Sequence, residues 1–87
     1  MPWQITWSKE AIRELSKLDK KEAKRITNKL EQASENPLHY FSRPTGREDY
    51  KLRIGNYRAI VLILHQEKTI FVQNIGHRKN IYKKLNR

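Results

Sequence analysis

The stretch Lys51-Leu52-Arg53-Ile54-Gly55-Asn56-Tyr57-Arg58-Ala59-Ile60 constrains this chain more than any other, because it reads as two strands closing on a two-residue turn. Glycine at the first loop position supplies the positive φ that a primed hairpin turn needs. Ile54 then faces Tyr57, Arg53 faces Arg58 and Lys51 faces Ile60. Alternate residues share a face, so Lys51, Arg53 and Arg58 point one way and Leu52, Ile54, Tyr57 and Ala59 the other. Like charges directly opposed across a ladder cost roughly 0.2–1 kcal/mol. Cations in this register therefore weaken the hairpin unless an anion uses them. Protection of an exposed edge strand from aggregation is the structural alternative for Lys51 and Arg53.

A second hairpin turning at Gln66-Glu67 sets Leu64 opposite Thr69 and Leu62 opposite Phe71. The same register carried outward puts Ile75 opposite Arg58 and His77 on the cationic face. Arg78 and the tail from Asn80 then emerge beside Gly55, near Arg53 and Arg58.

Upstream, Trp3, Ile5 and Trp7 alternate with Gln4 and Thr6, the pattern of a short strand with one buried face. Ser8 is placed to cap a helix whose stripe is Ala11, Ile12, Leu15 and Leu18. Asp19, with Glu22 three residues on, opens a second helix bearing Ala23, Ile26, Leu30 and Ala33, and Asn36-Pro37 ends it. The charges on both helices read as a solvated face. Leu38 to Asp49, containing Pro44 and Gly46, reads as a loop or short edge strand. The expected fold is one α+β domain over residues 1–87: two N-terminal helices packed on a mostly antiparallel four-stranded sheet, in the order β-α-α-β-β-β, with a short C-terminal helix.

With 87 residues and no cysteine, the chain has material for a single small core and no disulfides or thiolate metal sites. The longest apolar run, Ala59 to Leu64, is too short to cross a bilayer and no leader pattern opens the chain, which together point to a cytoplasmic protein. No paired histidines or carboxylates suggest a metal, and no cofactor is expected. The net charge is +10 and unevenly spread: residues 1–41 carry 8 basic and 6 acidic side chains, residues 42–87 carry 11 and 3. Such a basic half seeks a polyanion, nucleic acid above all, or an acidic protein.

Tyr50-x-x-Arg53-x-Gly55-x-Tyr57-Arg58, followed by Gly76-His77-Arg78-Lys79 and Tyr82, resembles the RelE/ParE superfamily of toxins from type II toxin–antitoxin pairs. The resemblance spans essentially the whole chain and implies a β-α-α-β-β-β scaffold. Its RelE branch implies a ribosome-dependent mRNA endonuclease that blocks translation. The partners implied are a cognate antitoxin, the ribosome and mRNA, with a higher-order toxin–antitoxin assembly on operator DNA. In the RelE pattern Lys51 and Arg53 match the paired basic residues of the second strand, Arg58 the arginine after the hairpin, Arg78 the one after the last strand, and Tyr82 the aromatic residue of the tail. Arg53 stands where a second lysine is frequent, and an arginine does not accept a proton at accessible pH.

RNA is cut without metal when its 2′-hydroxyl attacks the adjacent phosphorus, leaving a cyclic phosphate and a 5′-hydroxyl. The reaction needs a proton acceptor, charge stabilisation on phosphorus and help for the departing 5′-oxygen. Lys51 is the candidate base, because Arg53 and Arg58 beside it disfavour a further positive charge. Arg53 and Arg58 hold the phosphate. By resemblance Arg78 serves the leaving group and Tyr82 stacks on a base. His77 is a second acid–base candidate, since imidazole titrates near neutrality. Arg47, Lys79, Lys83 and Lys84 supply general attraction to nucleic acid. Two alternatives remain: a ParE-like toxin that poisons DNA gyrase, and a non-catalytic RNA-binding module.

Overall fold

The structure, a computed structural model, describes residues 2–43 and 49–81. Strand β1 (Gln4–Trp7) leads into helices α1 (Lys9–Ser16) and α2 (Lys20–Ala33), a one-turn α3 (Pro37–Tyr40), and strands β2 (Tyr50–Ile54), β3 (Tyr57–Leu64) and β4 (Thr69–His77). The four strands lie in the order β1-β4-β3-β2, with β1 parallel to β4 and the other pairs antiparallel. The expected α+β architecture is therefore present, as a mixed sheet. Among the described residues no helix is long and apolar enough to cross a membrane. The expected C-terminal helix lies largely outside the described residues.

Local chemistry accounts for the helix starts. Ser8 Oγ accepts from Ala11 N (3.0 Å), and Asp19 Oδ1 accepts from Glu22 N (2.8 Å), each satisfying one of the donors a helix leaves open at its first turn. Pro37 does more than end α2. Its fixed φ suits the first position of a helix, so Asn36 and Pro37 initiate α3 where a loop or edge strand was expected. Between α3 and β2, among the described residues, Ser42 pairs with β2, exchanging two backbone hydrogen bonds with Lys51 (3.0 and 2.8 Å).

The core fills the space between the helices and one sheet face, where Ile26, Leu30 and Ala33 of α2 meet Leu52, Ile54, Ala59, Val61, Ile70, Val72 and Ile75. From α1, Ala11 is buried, and Leu15 and, just past the helix, Leu18 pack against the same cluster. Ile12 departs from its expected place on that stripe and is 54% exposed. It follows Ala11 directly, and successive helical residues are turned by about 100°, so a face centred on Ala11, Leu15 and Leu18 excludes it.

The turn geometry follows the sequence. Gly55 has φ +58°, Leu64 pairs with Thr69, and Arg53 pairs with Arg58. The outward register does not, because the β3–β4 ladder shifts between Ile60 and Val61: Val61 pairs with Val72 but Ile60 with Asn74, leaving Gln73 as an extra residue. Arg58 consequently pairs with Gly76, not Ile75, and His77 pairs with Tyr57. A one-residue slip exchanges the two faces of a strand. His77 thus lies beside Tyr57, ring centroids 5.7 Å apart, and not on the cationic face where the sequence register put it.

Helix α1 holds this bulge. Strand β1 accompanies β4 only to Val72, so the β4 edge beyond it needs other partners. Ser8 Oγ donates to Gln73 O (2.7 Å), and Glu14 Oε1 accepts from Ile75 N (2.8 Å) and Asn74 Nδ2 (3.4 Å). Glu14→Ala strands a partly buried backbone N–H, and the expected destabilisation is about 1–3 kcal/mol by urea unfolding. Glu14→Gln, which keeps an acceptor oxygen, should recover most of it. Equal losses in the two variants would show that the acceptor is not what matters.

Candidate nucleic-acid interface

The second sheet face carries the cations. Lys51 and Arg53 alternate with the buried Leu52 and Ile54, and the β2–β3 register sets the Arg53 and Arg58 backbones directly opposite each other. Lys51 is half-buried, with its backbone tied to Ser42, while Arg53 is exposed at the outer strand. Arg58 is anchored at the turn, where Nη1 donates to Gly55 O (2.9 Å) and Tyr57 O (2.8 Å). These bonds fix the fork near the hairpin through one nitrogen, and they do not consume Nε and Nη2, the donors a phosphate needs.

Arg78 arrives where expected. Its backbone N–H donates to Asn56 O (2.8 Å), placing the end of β4 against the Gly55-Asn56 turn. Lys79 is exposed, and its N–H donates to His77 Nδ1 (3.2 Å). That contact employs one ring nitrogen of His77 as an acceptor within its own turn. Arg47, Tyr82, Lys83 and Lys84 lie outside the described residues.

The face also has an apolar part, of which the hairpin register already gave Ile60 and sequence reasoning missed Ile81. Ile60 shares it with Lys51 and is 2% exposed, and Ile81 is fully buried; neither belongs to the main core cluster. Gly76 explains how Ile81 fits. A Cβ at position 76 would lie 3.0 Å from Ile81 Cδ1. The absent side chain lets the chain, after a turn closed by Asn80 N–H on His77 O (2.9 Å), fold back onto the cationic side of the sheet. Ile81 is thereby seated on the same sheet face as Arg58, whose ladder partner is Gly76. Only the one-residue shift reveals Gly76 as the residue across from Arg58, so periodicity alone does not find this contact.

Helix α2 contributes a cation that the solvated-face reading left out. The Arg25 guanidinium lies over Gly55, 2.8 Å from where a Cβ would stand. Gly55 thus serves both the positive φ of the turn and the close approach of Arg25.

Comparisons with known proteins agree with this architecture. A sequence model of the ParE toxin of the type II toxin–antitoxin system parDE matches residues 5–82. The chain is 36% identical over 76 residues to a protein named toxin RelE4 of Methanocaldococcus jannaschii, covering 84% of this chain and 80% of that one. Its fold resembles the RelBE2 toxin–antitoxin complex of Mycobacterium tuberculosis, with TM-score 0.80 and 22% identity over 90% of this chain and 100% of that one. It also resembles a free mutant of Escherichia coli toxin RelE, with TM-score 0.78 and 21% identity over 98% and 93% of the two chains. With this fold and the family match along nearly its whole length, the chain belongs to the RelE/ParE superfamily of toxins from type II toxin–antitoxin systems.

Proposed function

We propose that this toxin is a ribosome-dependent mRNA endonuclease. The observation that supports it most is the set of Lys51, Arg53 and Arg58 on one face of the β2–β3 hairpin, with Arg58 anchored at the turn that also receives Arg78. In this reading the phosphate lies between Arg53 and Arg58, whose forks match its oxygens and stabilise the charge that builds on phosphorus. Lys51 takes the proton from the 2′-oxygen, standing on the same face as both arginines and directly before the phosphate they hold. The 2′-oxygen forms its bond to phosphorus as the bond to the 5′-oxygen breaks. Arg78 stabilises that departing oxygen, which takes a proton from water to become the 5′-hydroxyl, and Tyr82 stacks on a base. His77, paired with Tyr57, has no proton-transfer role.

The ribosome would supply the orientation of the message, which a small open face cannot impose alone. Family members solved as toxin–antitoxin complexes support a cognate antitoxin partner, which in this reading inhibits by covering the basic face. Residence in the cytoplasm, with the ribosomes, follows from the same reading, as does assembly with the antitoxin on operator DNA.

The purified toxin is expected to cut mRNA on programmed ribosomes, leaving 2′,3′-cyclic phosphate ends, and to leave free mRNA intact. Intact mRNA in both samples would overturn the reading. The ParE description of the matching family model favours a second one, poisoning of DNA gyrase. It predicts double-strand breaks in a gyrase–DNA sample and no mRNA ends.

A further inference from the structure

A second basic surface adjoins the first across the β2 edge. A groove of about 670 Å³ runs between α2 and the β2–β3 turn, and among the described residues Lys21, Lys24, Arg25, Lys29 and Arg53 line it with a single carboxylate, Glu22. Lys29 has local partners, its Nζ donating to Gln32 Oε1 (3.3 Å) and lying 5.2 Å from the Tyr40 ring centroid, but the row as a whole does not serve helix α2. Lys20 and Lys21 occupy its first turn, where the helix dipole disfavours cations. Lys21, Arg25 and Lys29 follow one another at intervals of four, the spacing at which like charges repel along a helix. The Glu22–Arg25 pair, 3.9 Å apart with the Arg25 side chain 59% exposed, offsets little of this.

The groove's chemistry selects among anions. An acidic protein partner would require an apolar anchor, because protein interfaces bury an apolar centre inside a polar rim. Among the described residues, Ile54 is the only large apolar one in the lining and is 3% exposed, already spent in the core. What remains is cations with the amides of Asn28 and Gln32, a set suited to a sugar–phosphate backbone. Residues four apart on α2 are separated by about 6 Å, a spacing that one polynucleotide strand can follow phosphate by phosphate. Arg53 belongs to both surfaces: it is exposed, opposes Arg58 in the ladder and lines the groove.

From these features we infer that the α2–β2 groove is a second nucleic-acid backbone site, holding the phosphates that flank those bound at Arg53 and Arg58 as the strand passes around the β2 edge. The inference relies on the proposed RNA activity for the identity of the strand, and on the groove alone for the binding. The probe is a labelled 2′-deoxy oligonucleotide of about 12 nucleotides, within the length such binding grooves cover. Lacking a 2′-hydroxyl, it binds without being cut by the proposed reaction.

In the combined variant Lys21→Gln, Lys24→Gln and Lys29→Gln, the slope of log affinity against log salt should fall in magnitude by about 2, at roughly 0.7 per lost phosphate contact, and affinity at ~0.15 M salt by about tenfold or more. An unchanged slope overturns the inference. So does weakened binding of a polyglutamate peptide with oligonucleotide binding intact, which would assign the groove to an acidic protein. Titration of the unsubstituted chain, followed by amide and lysine Nζ resonances, should perturb residues 21–32, and silence there overturns the inference whether or not the variant folds. Ribosomal cleavage is scored separately, so a groove that binds without RNA cleavage, or cleavage without the groove, distinguishes failure of one reading from failure of the other.

Discussion

Arg58→Ala is expected to leave the domain folded while lowering cleavage of ribosome-bound mRNA by about 10²–10³-fold, the usual loss when one fixed donor to a developing negative charge is removed. The geometry supports so large an effect. Two carbonyls of its own turn hold Arg58, at 2.9 and 2.8 Å, so its guanidinium is preorganised and little ordering remains to be done at the moment of reaction. The same bonds imply a structural contribution, which for a partly exposed side chain should stay near about 1 kcal/mol. Arg58→Lys separates charge from shape: an ammonium keeps the charge but loses the planar fork, and should restore binding more than rate. Urea unfolding checks the fold, and mapped mRNA ends measure the activity. A folded Arg58→Ala protein that cuts at full rate would remove Arg58 from the chemistry.

Ile81→Ala is expected to be the most damaging single truncation on the second sheet face. Ile81 is fully buried outside the main core, and removing such a side chain costs about 2–4 kcal/mol. For a domain whose total stability is of order 5–15 kcal/mol this is a large share. The loss should also reach activity, because the residue that anchors the chain over the cationic face precedes Tyr82. Ile81→Val, keeping most of the contact, should cost only about 0.5–1.5 kcal/mol. Gly76→Ala provides a converse test, since the added methyl meets Ile81 Cδ1 at 3.0 Å and should loosen the same anchor from the other side. Urea midpoints give the stabilities, and mRNA cleavage rates at a denaturant-free, fully folded temperature give the activity. An Ile81→Ala loss below about 1 kcal/mol would show that burial does not hold this segment in place.

The candidate site was legible wherever its geometry is local. A Gly-Asn turn admits one ladder, and a ladder of period two places Lys51, Arg53 and Arg58 on a common face without reference to the rest of the molecule. His77 was not legible in the same way. Its face depends on Gln73 being extruded from the ladder, and the contacts that accommodate this come from Ser8 and Glu14, 65 and 61 residues away in sequence from the groups they bind. Pattern reading has no access to such partners. Ile12 illustrates the same limit on a helix, where a spacing consistent with the apolar stripe still left the side chain exposed.

What this sequence determined unaided was its set of short-range devices: the caps at Ser8 and Asp19, the left-handed Gly55, and the cations of the β2–β3 hairpin. Each rests on bonds or sterics within a few residues, and the chain encodes those directly. Only the tertiary structure decided which strand β1 would join, which face His77 would take, that Ile81 would settle on Gly76, and that a basic row of α2 would border the hairpin. Those outcomes depend on a one-residue shift and on surfaces brought together from opposite ends of the chain, where packing and backbone hydrogen-bond satisfaction choose among registers that local preference leaves nearly equal.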